Sequence, residues 1–127
     1  MRFILFFLML GHAVAHLPGF LVNLRLRTFP ELPFKTTILL DSVDVGQAGI
    51  RVLGFAWLAA FIALSVVAVA TALRLSWWQP AAYATLGLSM LLCLLAWPDT
   101  RFGVLANVVI LSAIVFSAGS LARIAAN

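Results

Sequence analysis

His12 and His16 carry the most pointed chemistry in this chain. They are its only two histidines, and a four-residue spacing puts both rings on one face of a helix. The run around them, from Phe3 to Leu24, is apolar and of membrane-spanning length. Counted from the basic residues at its ends, His12 falls near the bilayer centre and His16 about one turn further on. Ionisable residues at that depth are costly. They point into a bundle and commonly mark paths for protons, ions, quinones or other ligands. Pro18 withholds the hydrogen bond that the carbonyl of Val14 would accept, so a kink or a free carbonyl is expected beside the histidines. Gly11 and Gly19 would let another helix approach at this level.

Geometry narrows what the pair can do. A six-coordinate haem needs axial ligands on opposite faces, which two rings on one helix face cannot supply within one chain; a symmetric dimer could. A metal held by His12 and His16 wants further ligands. Cys93, the single cysteine, lies four residues from Trp97 and so nearer the interface, and no Asp or Glu falls at membrane depth. A metal site is therefore incomplete in the sequence. No motif implies a cofactor, and no P-loop, zincin helix or nucleophile elbow points to an enzyme.

The plainer role is structural. Neutral imidazoles in lipid hydrogen-bond to side chains on neighbouring helices, at about 0.6 to 2 kcal/mol each. Asn107, Ser65, Ser89 and Ser112 all count to a suitable depth. Cys93 reads as a small packing residue. Small residues such as Gly54, Ala60, Gly87, Ala113, Ser117 and Gly119 suit close helix packing.

The elements that would position these residues follow from composition and spacing. The chain is 65% hydrophobic and 9% charged, against roughly 25% charged in a soluble domain. Its eight Lys and Arg against four Asp and Glu form no clustered basic face, which argues against nucleic acid as a partner and for the lipid bilayer. Four apolar stretches are expected to span as helices: 3–24, 52–73, 80–97 and 102–122. Arg2 and Arg25 are 23 positions apart, as are Arg51 and Arg74, and Arg101 and Arg123 are 22 apart. At 1.5 Å per residue each pair is separated by roughly 33 to 35 Å, the distance between two headgroup layers. Trp77 and Trp78 at one end and Trp97 at the other bracket the third stretch, at the level indoles favour.

Short links at 76–79 and at Trp97–Thr100 force antiparallel neighbours. Asp44 and Gln47 have capping-box spacing, so the second spanning helix should begin near Val45. Pro80 suits a first helical turn. The fold class is thus all-α: an integral membrane antiparallel four-helix bundle, one domain over 1–127. A single long loop, 25–45, is expected to cap it, because Phe29, Phe34, Ile38 and Leu39 are too apolar for a free linker. Within that loop Thr36–Leu40 favours a strand and has no obvious partner. Ala13-Val14-Ala15 matches a signal-peptidase pattern, but the apolar run continues past it, so a span is expected rather than a cleaved leader. Five Lys and Arg on the long-loop side against three on the other would put that loop in the cytoplasm and both termini outside.

The segment His12-Ala13-Val14-Ala15-His16-Leu17-Pro18-Gly19-Phe20 resembles the first helix of a group of small bacterial four-span membrane proteins. Those carry His-x-x-x-His-Leu-x-Gly-Phe and are loosely grouped as DoxX-like; Ala13 stands where that group often has Gly. Pro30-Glu31-Leu32-Pro33, Asp44-Val45-Gly46 and Trp97-Pro98-Asp99 are similar to segments of the same group. The resemblance implies a multi-pass protein of the bacterial inner membrane and brings no catalytic mechanism. The expected function is that of a non-enzymatic accessory, scaffold or hydrophobic-ligand-binding protein, with no cofactor implied by motif, which could meet a second copy or a membrane protein partner. The alternative is a redox or transport component whose His pair handles a quinone, a metal or protons.

Overall fold

The computed structural model describes residues 1–125, with side chains to residue 119. The chain folds as α1 (Arg2–Val14), α2 (Leu17–Asn23), β1 (Thr37–Ile38), β2 (Val43–Asp44), α3 (Gly46–Leu73), α4 (Trp78–Leu95) and α5 (Arg101–Ala125). α1 and α2 together form the first span, and α3, α4 and α5 are the other three. All four are long and apolar enough to cross a bilayer. The first span packs on α3, α3 on α4, α4 on α5, and α5 returns to α1. This is the antiparallel membrane bundle, and the protein is multi-pass.

Lipid explains what the surface carries. Phe3, Phe7, Phe55, Ile62, Phe102, Val115 and Phe116 are each more than half exposed. Soluble proteins rarely leave so much contiguous apolar surface uncovered. The interior holds two apolar clusters. One joins Leu5, Met9 and Ala13 to Leu64, Val67, Ala68, Ala82, Leu86, Ile110 and Ile114. The other, toward the long loop, is built on Trp57, Ala60, Leu92 and Cys93. His12, His16, Ser89 and Asn107 are all buried and lie between the two along the helices.

The first span is broken beside the histidines, as expected, although the break lies ahead of Pro18 rather than at it. The helix breaks at Ala15 and His16, two to three residues earlier, and Pro18 starts the next piece as its second residue. Proline's ring and missing N–H are tolerated in a first helical turn and not in an interior one, so the chain restarts the helix ahead of it. At the break the His16 N–H turns to the carbonyl of Ala13 at 2.9 Å.

The long loop is an ordered cap. The strand-favouring run does have a partner, five residues downstream: Thr37 pairs with Asp44 and Ile38 with Val43, antiparallel. Leu39, Leu40 and Asp41 turn the hairpin with positive φ of 51°, 57° and 61°, a conformation side chains rarely adopt. Docking holds it: the Leu39 N–H donates to the carbonyl of Leu95 at 2.9 Å, and the Thr37 hydroxyl donates to Asp41 at 2.5 Å. Lys35 lies 2.9 Å from Asp99 and 3.3 Å from Asp41, tying the cap to the α4–α5 turn. The Arg25 guanidinium sits 4.2 Å over the ring of Phe34.

Two local expectations at helix ends are corrected. Asp44 accepts a backbone N–H, but from Gly46 at 2.9 Å, and Val45 is the cap residue with no side-chain cap bond. Gly46, at φ 67°, turns the chain too sharply for a capping box with Gln47. α4 begins at Trp78, so Gln79 belongs to the helix and the α3–α4 link is shorter than expected.

Candidate functional site

The site is a four-residue polar layer centred on one hydroxyl. Ser89 Oγ on α4 lies 2.8 Å from His16 Nε2, 2.9 Å from His12 Nε2 and 2.9 Å from Asn107 Nδ2. His16 Nδ1 lies 2.8 Å from the carbonyl oxygen of His12. That carbonyl is the one the His16 N–H abandons at the helix break, so the ring replaces a lost backbone bond.

These distances fix the protons of the neutral network. A carbonyl only accepts, so His16 must carry its proton on Nδ1, and its Nε2 is an acceptor. Ser89 therefore donates its single proton to His16 Nε2. Its two lone pairs accept from His12 Nε2–H and from Asn107 Nδ2–H. One donor and two acceptors are all a hydroxyl has, and Ser89 uses them all. The Asn107 amide is oriented the same way, since Nδ2 also donates to the carbonyl of Gly103 at 3.0 Å. Its buried Oδ1 is left without a hydrogen bond. His12 keeps Nδ1 as an acceptor, and no described residue hydrogen-bonds it.

Close packing sets the rings. A Cβ on Gly19 would sit 2.5 to 2.9 Å from three ring atoms of Trp57, so only glycine lets the indole lie there. Trp57 in turn packs on His16, with ring centroids 5.2 Å apart. A Cβ on Gly103 would come 2.6 Å from Cys93 Sγ, so glycine also brings α5 close to α4 beside Asn107. Gly54 performs the same service against Leu24 and Asn23. Gly11, Gly87 and Gly119 do not: each faces open space.

A cavity of about 200 Å³ opens beside the histidines. His12, His16 and Cys93 line its inner end, and Glu31, Asp99 and Thr100 its end nearest the cap. Trp57, Leu32 and Phe102 supply apolar wall. Ala15 and Phe102 are exposed as well, so the cavity reaches the surface between the first span and α5.

Of the six polar residues singled out in the sequence, His12, His16, Ser89 and Asn107 meet. Ser65 and Ser112 do not. Ser65 bonds the carbonyl of Phe61 in its own helix, and Ser112 is exposed and bonds that of Val108. Serine hydroxyls readily satisfy themselves this way, so depth alone does not recruit them.

The anchors stand at helix ends. Arg2 opens α1, Arg25 follows α2, Arg74 ends α3, Trp77 and Trp78 open α4, Trp97 lies in the α4–α5 turn and Arg101 opens α5. Arg51 is in the second turn of α3, which starts below it. The side chain of Arg123 lies outside the described residues.

Sequence reasoning passed over Trp57, Glu31 and Asp99 as parts of this site. Trp57 had a signal: of the four tryptophans it alone falls in the interior of a span rather than at or beyond an end. Nothing local placed the cap's Glu31 above a histidine. Among the described residues no three of His, Cys, Asp and Glu gather as metal ligands, and both nitrogens of His16 are already engaged.

Compared with known proteins, the chain matches no family model, no curated protein and no solved structure.

Proposed function

We propose that this is a non-enzymatic membrane protein that holds a small hydrophobic ligand in the cavity beside His12 and His16. The observation that carries this is a cavity of about 200 Å³ that pairs apolar walls with two buried imidazoles and reaches the surface. Ligand sites are commonly apolar hollows with a few fixed polar groups. The volume suits one ring with a short substituent, since a ~150 Å³ cavity admits benzene.

The chain's likeness to the DoxX-like group with His-x-x-x-His-Leu-x-Gly-Phe supports placement in a bacterial inner membrane. The basic residues on the long-loop side support a cytoplasmic cap and outward termini. As an accessory or scaffold subunit it would meet a second copy or a membrane partner through its lipid-facing helices.

The test is extraction. Protein purified in nanodiscs is extracted with organic solvent and the extract analysed by mass spectrometry. A small lipophilic compound in stoichiometric amount, lost in His12→Ala while the helical circular dichroism persists, is the expected result. An extract holding bilayer lipid alone, unchanged by the substitution, defeats the reading.

One observation favours a second reading. The run His12 Nε2–H, Ser89 O–H, His16 Nε2 is a continuous chain of hydrogen bonds, able in principle to pass a proton between the rings. A redox or transport component handling protons or a quinone would use it so. Uptake of protons by reconstituted vesicles, abolished in Ser89→Ala, would separate it from passive binding.

A further inference from the structure

The geometry points to a ligand that donates a hydrogen bond at the inner end of the cavity: a small phenol or quinol, not a quinone, ketone or ether. This rests on the binding reading above and narrows it to a chemical class.

The deduction starts at the other end of the network. His12 O receives His16 Nδ1–H, so His16 Nε2 must accept, and Ser89 must donate to it. Ser89 then has only lone pairs for His12, so the neutral His12 ring carries its proton on Nε2. What His12 has left is Nδ1, a bare lone pair. The residue is 6% exposed and lines the cavity, yet nothing among the described residues donates to that atom. An acceptor that an occupant shields from water without supplying a donor costs about 1 to 3 kcal/mol, so an occupant that supplies one is favoured.

The other polar side chains of the wall repeat the bias. Thr100 gives its hydroxyl proton to the carbonyl of Cys93 at 2.6 Å and keeps lone pairs. Glu31 makes no ion pair with any described residue. Asp99 is bound to Lys35. The Cys93 thiol is the one weak donor. A carbonyl or ether oxygen would meet lone pairs at His12, whereas a hydroxyl meets its complement. Trp57 and Phe102 offer flat apolar wall for the ring that bears it.

The test compares 4-propylphenol with 4-propylanisole, which differ by replacing the hydroxyl proton with a methyl group. Binding to the whole protein in nanodiscs is measured by calorimetry, and nitrogen-15 NMR of histidine-labelled protein reads the ring nitrogens. With two histidines in the chain, one ring should be in each tautomer. The phenol should bind about tenfold more tightly than the anisole, the effect of one hydrogen bond. It should also move the unprotonated δ nitrogen of the ring protonated at Nε2. Equal affinities, or a tighter anisole, overturn the inference and leave the cavity reading standing. So does finding both rings protonated at Nδ1. Binding of neither compound overturns this inference and counts against the cavity reading too.

Discussion

Ser89 and His16 stand 2.8 Å apart across the bundle, and the serine proton between them orders every other proton in the layer. Removing that hydroxyl strands three groups at once: His16 Nε2, His12 Nε2–H and one Asn107 N–H. Ser89→Ala is expected to cost about 2 to 6 kcal/mol, at about 0.6 to 2 per bond in a membrane interior. Ser65→Ala and Ser112→Ala lose only bonds to their own helices and should stay within about 0.5 kcal/mol of the parent. Thermal unfolding of the three variants in one detergent checks the ordering. A Ser89→Ala midpoint no lower than the other two would show that the layer is not held through this hydroxyl.

The glycines make a matched pair of opposite sign. Gly19→Ala drives a methyl group into the Trp57 ring. Overpacking of this kind costs about 1 to 3 kcal/mol, and it should shift Trp57 off His16. Gly11→Ala sits mid-helix with nothing within 4 Å and should be neutral or stabilising by up to about 1 kcal/mol, from helix propensity. The measurement is again thermal unfolding, with near-ultraviolet dichroism following the tryptophan. Equal effects from the two substitutions would contradict the packing at Gly19.

The contrast between these glycines also shows what the sequence could and could not tell. Arginine and tryptophan spacing gave span lengths and depths, because a bilayer imposes both on any helix. Depth counting therefore picked out Ser89 and Asn107 as possible neighbours of the histidines. It picked out Ser65 and Ser112 equally, since counting along a helix does not say which way the residue faces. Rotation is decided by packing between helices, and that depends on contacts such as Gly19 with Trp57 that are remote in sequence. The cap was foreseeable as ordered from its apolar residues. Its hairpin partner, and Glu31 at the cavity, depend on docking to α4 and α5 and left no local mark.

Lys35 governs how that docking responds to pH. Asp99, then Asp41, hold the Lys35 ammonium above the ordinary lysine range. A raised folded value stabilises below the unfolded value and is lost as pH climbs through the folded one. Asp41 is held low, first by the Thr37 hydroxyl and then by Lys35, and Asp44 is held low, first by the Gly46 N–H. Depressed carboxylates stabilise above their unfolded value and lose the contribution as pH falls through the folded one. The cap should thus stay docked on a plateau between the carboxylate and lysine ranges and loosen beyond either edge. Lys35→Met should loosen it on the plateau itself, by about 1 kcal/mol or less because the pair is partly exposed. Protease cleavage within 26–44 against pH reads both effects. Cleavage rates that ignore both pH and the substitution would mean that backbone bonds alone secure the cap.

His16 has two separable duties, and substitution can part them. Its Nδ1–H replaces the backbone donor missing from the His12 carbonyl, while its Nε2 receives the serine proton. An asparagine amide places an N–H near the position of Nδ1 and has nothing at Nε2. His16→Asn should therefore keep the helix break satisfied and lose only the link to Ser89. His16→Ala loses both, leaving a buried carbonyl without a donor ahead of Pro18, a further cost of about 1 to 3 kcal/mol. The expected order of stability is parent, then His16→Asn, then His16→Ala, with the last also opening the break at Ala15 to faster amide exchange. If asparagine proves no better than alanine, the bond to the His12 carbonyl contributes nothing, and the tautomer assigned to the whole layer loses its starting point.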